Sequence, residues 1–228
     1  MINKEHYQFI RQHPAFENFP VESFDKLAIE IQFHKVSKGQ IIFFSGDRRD
    51  RLFLLYQGYA RIEQYDATDT FSYTDYIKKG NVFPYGGIFF DERYHYTASA
   101  VTQVEYFSIP MKLFEDFSKK NVNQLLFITQ KLSRILEFQE LRLRNVVAVS
   151  ATDRVVQSLS ILCMDLCKTG DVLPFPMSMK ELAKLGATTR ETVNQVLKRL
   201  REEGRISYEH KQLIFTDREY FMKYFKES

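Results

Sequence analysis

The sequence contains no tryptophan, only two cysteines and no apolar run of 18 residues. A membrane-spanning helix needs about 20 predominantly apolar residues, so we do not expect this chain to cross a bilayer. Its first residues, MINKEHYQFIRQHP, lack the continuous apolar core of a secretory signal peptide. We therefore predict a cytoplasmic protein, and 228 residues are enough for one large or two modest domains.

The scarcity of cysteine also limits the metal and redox chemistry open to the chain. Cys163 and Cys167 are four residues apart within an apolar helical pattern, which puts both on one face of the helix. Burial as small apolar side chains is the expected role, with metal binding or redox activity as the alternative. No other Cys or His lies near them in the sequence, so we predict two inert thiols.

The most informative stretch, residues 178–204, predicts two helices joined by a tight turn. Ser178 and Glu181 match a capping box, in which a hydroxyl and a carboxylate satisfy free N–H groups at a helix start. Gly186 follows a short apolar face and suits the left-handed residue that ends many helices. The pattern is typical of a helix-turn-helix.

The second helix of this pair is predicted to begin with another capping box, formed by Thr188 and Glu191. Its apolar face is formed by residues at spacings of three, one and three: Val193, Val196, Leu197 and Leu200. The opposite face carries side chains that can read base edges: Arg190, Glu191, Asn194, Gln195, Lys198 and Arg201. A helix with this division is typical of DNA recognition, although amphipathic helices also occur in other proteins.

Residues 205–216 predict a β-hairpin, because Ile206 and Tyr208 alternate with polar residues and a turn near His210 leads back to an apolar strand. A hairpin directly after a recognition helix is a wing. Residues 178–211 contain eight Lys or Arg and five Asp or Glu, a net charge of +3 that equals the formal charge of the whole chain. The basic excess is therefore concentrated where a phosphate backbone would bind.

Short apolar runs separated by turn residues recur about every ten residues between positions 34 and 109, which predicts an antiparallel roll or barrel. The predicted strands are Ile41–Phe44, Leu52–Leu55, Ala60–Ile62, Phe71–Ile77, Val82–Phe83 and Val104–Ile109. Residues 1–30 predict amphipathic helices broken at Pro14 and Pro20. The expected fold class is α+β, with an N-terminal antiparallel β-roll of the jelly-roll type.

A long helix without Pro or Gly is predicted for residues 122–149. Its apolar seam, which we expect to form a coiled-coil dimer contact, contains Leu125, Ile128, Leu132, Ile135, Leu143 and Val146. Alternatively, the roll of the same chain covers this helix. Apolar residues off the seam indicate that the helix contacts both its own roll and a partner helix. We predict a roll domain over 1–120, a dimerisation helix over 121–149 and a winged helix-turn-helix domain over 150–228.

The remaining elements complete the predicted winged domain. Ser150 and Asp153 are expected to cap a helix that ends at Gly170. Residues 171–177 should form a loop, and Asp217 should cap a last short helix.

The order of these elements is supported by particular residues over nearly the whole chain: Lys38-Gly39, Gly46-Asp47, Gly58, Thr97-Ala98-Ser99-Ala100, Asp153-Arg154-Val155, Glu181-Leu182-Ala183 and Arg190-Glu191-Thr192. With them the chain resembles the CRP/FNR family of bacterial transcription regulators. In kind it is most like the Gram-positive arginine-deiminase and Flp-like regulators, which lack cyclic-AMP and iron–sulfur signatures. The resemblance implies a cyclic-nucleotide-binding-like roll, a homodimer, a palindromic operator in double-stranded DNA and contact with RNA polymerase.

The resemblance also implies roles for single residues. Glu191 would accept a hydrogen bond from a cytosine amino group, and Gln195 stands where many members place a guanine-reading Arg, so adenine is the more natural partner here. The full set of expected DNA contacts is Ser178, Thr188, Thr189, Arg190, Glu191, Asn194, Gln195, Lys198, Arg201 and Lys211. An activator of arginine-deiminase or anaerobic genes is the implied type of regulator.

The predicted roll, which would be the sensing domain, differs from the well-known sensor types of the family. Cyclic-nucleotide binders hold the ribose with an acid and the phosphate with an Arg, and both are missing here, although Arg93 lies close to the expected position. An iron–sulfur cluster needs amino-terminal cysteines, and a haem would need His34 or His95, for which surface or packing roles are expected. We predict no cofactor.

A pocket for an unidentified small molecule stays open, and a neutral or zwitterionic metabolite would suit its predicted lining: Tyr85, Gly86, Tyr94, His95, Tyr96, Gln139 and Glu140. We find no catalytic constellation, phosphate loop or metal-ligand spacing, so we do not expect an enzyme. The rival function is an effector-binding module whose winged domain contacts a protein and not DNA.

Overall fold

The computed structural model describes residues 2–65, 72–147, 150–167 and 170–227, with the side chains of 65, 72, 141–147 and 225–227 left aside. The chain divides into two compact units, one formed by Met1–Gln64 with Asp75–Glu137 and the other by Tyr65–Thr74 with Phe138–Ser228. The predicted α+β fold is confirmed by antiparallel sheets, eight described helices and two domains that match known families, identified below.

The helices are α1 (Lys4–Arg11), α2 (Val21–Glu30), α3 (Met111–Lys119), α4 (Val122–Val147), α5 (Ala151–Leu166), α6 (Met179–Leu185), α7 (Arg190–Glu202) and α8 (Arg218–Glu227). The strands are β1 (Gln32–Val36), β2 (Ile41–Phe43), β3 (Arg51–Gln57), β4 (Tyr59–Tyr65), β5 (Ser72–Lys78), β6 (Val82–Phe83), β7 (Thr97–Ala100), β8 (Val104–Pro110), β9 (Ile206–Glu209) and β10 (Gln212–Phe215).

Two four-stranded antiparallel sheets form the roll, with strand orders β1-β8-β3-β6 and β2-β7-β4-β5. Phe107 on β8 lies opposite Phe33 on β1 and Leu54 on β3, so apolar side chains continue across the first sheet. Strand β7 was not predicted as a strand, because only Thr97 among its four residues has a β-branched side chain and the other three are small. The predicted strand start at Phe71 lies outside the described residues.

Aromatic side chains fill two layers of the first unit. Under the helices, Phe16 meets Phe114 edge-to-face with ring centroids 5.7 Å apart, within a core that also contains Phe24 and Phe107. Between the sheets, Phe43 of β2 stacks on Phe53 of β3 with centroids 5.2 Å apart. The abundance of Phe and Tyr in the sequence is therefore used for packing.

The first half of α4 packs onto its own unit. Ile128 is only 1% exposed and belongs to the same core as Phe114, and Leu132 packs against that core. The prediction that Ile128 faces a second chain is therefore wrong, because its own roll encloses the side chain. Leu126, Ile135 and Leu136 remain exposed, while the side chains of Leu143 and Val146 lie outside those described.

In the second unit, α5 begins as predicted, since the Ser150 hydroxyl accepts a hydrogen bond from the Asp153 N–H. The helix ends at Leu166 and not at Gly170, and Cys163 and Cys167 are both buried as predicted. Burial raises the pKa of the Cys163 thiol to about 11 and that of Cys167 to about 12. Both thiols therefore stay protonated at neutral pH.

The segment 171–177, predicted as a loop, runs beside the hairpin. The Leu173 N–H donates to the Leu213 carbonyl at 2.9 Å, and the Met177 N–H donates to the Lys211 carbonyl at 2.8 Å. Asp217 caps α8 as predicted, because its carboxylate accepts the Tyr220 N–H at 3.0 Å. Across the described part of the chain, every helix is too short or too polar to traverse a bilayer.

Candidate nucleic-acid interface

The first helix of the motif, α6, starts with the predicted capping box. The Glu181 carboxylate accepts the Ser178 N–H at 2.7 Å, and the Ser178 hydroxyl accepts the Glu181 N–H at 3.3 Å. That hydroxyl also donates to the same carboxylate at 2.7 Å. Ser178, which was predicted to contact DNA, is therefore half-buried, and its hydroxyl already donates its proton to Glu181.

The turn between α6 and α7 corrects the expected role of Gly186. The left-handed residue is Ala187, with φ 44°, whereas Gly186 has φ −86°. A Cβ on Gly186 would lie 3.2 Å from Cγ2 of Val155 on α5. Glycine is favoured here because two helices approach closely, and not because of its backbone angles.

A side chain that the sequence did not single out holds this turn in place. Arg154 of α5 donates from Nε to the Gly186 carbonyl and from Nη2 to the Ala187 carbonyl, both at 3.0 Å. Such charge-assisted bonds are stronger than neutral ones. In the sequence, Arg154 stood out only as part of the family-like segment Asp153-Arg154-Val155. That resemblance does not indicate which groups its side chain contacts.

The neighbouring Asp153 ties the start of α5 to α8. Its Oδ1 accepts a hydrogen bond from the Tyr224 hydroxyl at 2.8 Å. Hydrogen bonds from Ser150 and then from Tyr224 lower the pKa of the Asp153 carboxyl below its usual value. The carboxylate form is therefore favoured, and it anchors the helix that carries Arg154.

The second helix, α7, begins one residue later than the predicted capping box requires. Thr189 is the N-cap, and its hydroxyl accepts the Thr192 N–H at 3.3 Å. The box between Thr188 and Glu191 is therefore wrong, because Glu191 lies in the second helical position. Its own N–H and then the Thr189 hydroxyl lower the pKa of the Glu191 carboxyl, so it is ionised at neutral pH.

The two faces of α7 differ as predicted. The four apolar side chains of its back are at most 2% exposed: Val193, Val196, Leu197 and Leu200. All six polar side chains of its front are exposed: Arg190, Glu191, Asn194, Gln195, Lys198 and Arg201. Lys198 has only a loose ion pair, 3.9 Å from Glu202, which solvent screens. The front is therefore free to bind another molecule.

The wing is a two-stranded hairpin, β9 with β10, directly after α7. Its tip consists of His210 and Lys211, which have φ 50° and 66° and so form the left-handed pair of a two-residue hairpin turn. Lys211 is exposed. The Tyr208 hydroxyl donates to the Met177 carbonyl at 2.9 Å and fixes the wing to the segment that precedes α6.

The base of the wing is tied to the last helix by an ion pair between Arg205 and Asp217. Hydrogen bonds from the Tyr220 N–H and then from Arg205 lower the pKa of the Asp217 carboxyl. The Arg205 guanidinium also lies over the Tyr220 ring, 4.9 Å from its centroid. The wing and α8 therefore support each other beside α7.

The structure separates the predicted pocket residues. Tyr94 stacks on Phe43 with centroids 4.0 Å apart, and Tyr96 lies 6.0 Å from the same ring, between the sheets. Tyr85 instead belongs to the core under the helices, so its prediction as a pocket residue beside Tyr94 is wrong. Burial raises the pKa of both the Tyr85 and the Tyr94 phenols.

The other predicted pocket residues are exposed or bonded. Gly86 and Glu140 are exposed, and His95 Nε2 lies 2.7 Å from Asp91 Oδ2. In the second unit, Gln139 Nε2 donates to the Tyr73 hydroxyl at 2.9 Å.

The second haem-ligand candidate, His34, is part of the sheet packing. Its ring stacks on Tyr106 with centroids 5.0 Å apart, and Nε2 lies 2.8 Å from the Ser108 hydroxyl. Burial, then the charge of Arg51, lowers the pKa of the His34 imidazole. The packing role expected for this residue agrees with these contacts.

Comparisons with known proteins agree with this architecture. Residues 33–121 match the cyclic nucleotide-binding domain, and residues 153–224 match the Crp-like helix-turn-helix domain. A global nitrogen regulator from Nostoc sp. is 27% identical over 184 residues, which are 77% of this chain and 81% of the relative. The HTH-type transcriptional regulator ArcR from Staphylococcus epidermidis is 25% identical over 200 residues, with 85% and 86% covered.

A solved structure gives the same result for the fold. The CRP/FNR-family transcriptional regulator from Thermus thermophilus superposes with a TM-score of 0.67 at 23% identity, covering 86% of this chain and 98% of the other. The two matched domains occur in the order of that family and together span more than two thirds of the sequence. The chain therefore belongs to the CRP/FNR family of transcription regulators.

Proposed function

We propose that this chain binds a palindromic operator in double-stranded DNA as a homodimer, with α7 of each subunit in successive major grooves. The observation that carries the proposal is the division of α7 into a buried apolar back and an exposed polar front. The +3 net charge of residues 178–211 adds attraction to phosphate.

Within this interface we assign the base contacts to the amino-terminal half of α7. The ionised Glu191 would accept a hydrogen bond from a cytosine amino group, and Gln195 would pair with adenine. Arg190 and Asn194 lie on the same exposed face. Phosphate contacts are assigned to the residues around the helix start, the end of α7 and the wing: Thr188, Thr189, Lys198, Arg201 and Lys211. Ser178 is not assigned, because its N–H and its hydroxyl both donate to Glu181.

The proposed base contact at Glu191 is tested by operator selection from a random DNA library. Glu191→Ala should relax the preference at one position of each half-site by about 1–3 kcal/mol, because one base-specific hydrogen bond is lost. Glu219→Ala, which removes an exposed carboxylate from α8, is the matched control and should leave the profile unchanged. An unaltered profile for Glu191→Ala would show that this carboxylate reads no base.

The proposed dimer contact is the solvent-facing side of α4. Leu126 and Leu136 are 54% and 60% exposed within one chain, and Ile135 is 37% exposed. Exposed apolar side chains on a 26-residue helix are suited to contact with a partner helix. We also propose domain limits of 1–120 for the roll, 121–149 for the dimerisation helix and 150–228 for the DNA-binding domain.

The dimer contact is tested by sedimentation. Leu136→Glu should convert the dimer to monomers, because it would bury two carboxylates in an apolar contact. Ile29→Glu changes an apolar residue on α2 that is 76% exposed and should leave the dimer intact. A wild-type chain that stays monomeric at high concentration contradicts the proposal.

A winged domain that contacts a protein is the second candidate, since exposed charged helices also serve such contacts. Gel-shift assays with genomic fragments at two salt concentrations separate the two candidates, because only DNA binding shows the steep salt dependence of counterion release.

Three further points stay proposals: contact with RNA polymerase, control of arginine-deiminase or anaerobic genes, and location in the cytoplasm. Gene expression in a deletion strain tests the second of these.

A further inference from the structure

A polar cleft opens on the first unit. Its volume is about 480 Å3, and its walls are the loop before β3, the loop after Phe90 and the start of α3. The volume lies in the range of small-molecule sites. Four basic and four acidic side chains line it, so the cleft presents both signs of charge.

Arg49 is the buried member of this lining, with 7% of its surface exposed. Its Nε donates to the Asp91 carbonyl and its Nη2 to Oε1 of Glu115, both at 2.8 Å. The third nitrogen, Nη1, is enclosed and has no hydrogen-bond partner. An unsatisfied charged donor in a buried position is costly, and an incoming anion would remove that cost.

The start of α3 adds a second reason to expect an anionic group. This nine-residue helix begins at Met111 after Pro110, with no side-chain cap and no acidic residue in its first turn. Pro110, Met111 and Lys112 all line the cleft. The positive end of the helix dipole and the unpaired Nη1 of Arg49 therefore belong to the same cleft, and the Glu115 carboxylate bonds to Nη2 and not to Nη1.

The acidic side chains of the cleft fall into two groups. Asp91 is paired with His95, and Glu115 accepts hydrogen bonds from Arg49 and from the Phe89 N–H. Asp50 and Glu92 are exposed, and within the described part of the chain their carboxylates form no ion pair. A ligand with only negative charge would be repelled by these two free carboxylates.

We propose that this cleft binds a free α-amino acid. The α-carboxylate accepts from Arg49 and from N–H groups of the first turn of α3 beyond Met111, whose own N–H donates to the Asp50 carbonyl. The α-ammonium lies against Asp50 and Glu92. Because Nη1 is enclosed, binding must shift the guanidinium or the side chains that cover it. Arg49 and Glu115 hold the backbone of residues 89–91, so the shift is passed to that segment.

The first test is calorimetric titration of the full chain with each of the twenty common amino acids. At least one should bind at micromolar to millimolar concentration. For that amino acid, the analogue without the amino group and the analogue without the carboxylate should each bind about tenfold more weakly or worse. Absence of binding by the whole panel, or equal binding by the analogue without the amino group, overturns the proposal.

Two variants locate the binding site. Asp50→Asn with Glu92→Gln should weaken amino-acid binding about tenfold, while Glu22→Gln, which changes an exposed carboxylate on α2, should have no effect. Arg49→Met with Glu115→Gln removes the buried pair together, so that no uncompensated charge is left; it should abolish binding while a thermal melt confirms folding. Unchanged affinity in either double variant refutes the assignment.

Discussion

The winged unit and the roll use their polar and aromatic side chains in opposite ways. On α7, four buried apolar residues leave the polar front exposed and without strong internal partners. In the roll, Tyr94 and Tyr96 are packed around Phe43, and Tyr85 belongs to a different core. The polar side chains of α7 are thus accessible to another molecule, whereas these tyrosines of the roll are packed within the protein.

This difference predicts that substitutions between the sheets of the roll cost stability. Phe43→Ala should have the largest effect, about 3–5 kcal/mol, because it removes a buried ring that stacks on both Phe53 and Tyr94. Chemical denaturation measures the change. Phe44→Ala, at the next and 56% exposed position, should change stability by less than about 0.5 kcal/mol. Similar results for both variants would mean that the rings do not form a core.

An intermediate effect is expected where the winged unit depends on internal hydrogen bonds. Arg154→Met should cost about 1.5–3 kcal/mol, because two carbonyl oxygens of the turn lose a charged donor. Operator affinity should fall as well, since this turn positions the start of α7. Arg199→Met removes an exposed Arg that is only 3.8 Å from Glu203 in a loose pair, and this control should have little effect on the thermal melt.

The smallest effect on stability is expected on the exposed front of α7. Lys198→Ala should leave the free energy of unfolding within about 0.5 kcal/mol of the wild type. It should lower the slope of log affinity against log salt by about 1.8, because one phosphate contact is lost in each subunit of the dimer. Lys26→Ala, an exposed change on α2, should alter neither quantity. A salt slope unchanged by Lys198→Ala would remove this lysine from the interface.

Local patterns predicted most elements of both units. The capping box at Ser178, the N-cap at Ser150 and the cap at Asp217 are all present, because a cap depends on residues three positions apart. The back of α7 was also predictable, since helical spacing alone places its apolar residues on one face. Two local predictions were off: the start of α7, which is capped by Thr189, and the end of α5.

The other features that were not predicted from the sequence share a different cause, which is contact between residues distant in sequence. Gly186 is favoured because α5 approaches it closely, and Arg154 reaches the turn from a helix that begins 35 residues before Gly186. Ile128 follows the heptad seam, but the roll encloses it. Strand β7 is held by its neighbours β2 and β4 and not by its own small residues.

The sequence by itself determined the order of roll, long helix and winged domain, and the polar front of α7, because periodicity and caps are properties of neighbouring residues. Only the tertiary structure decided which side chains are free. It buried Tyr85 and Ile128, assigned Arg154 to the turn, and left Arg49 with an unpaired N–H in a charged cleft. Burial and hydrogen bonding between distant residues depend on how the elements pack, and no local pattern records that.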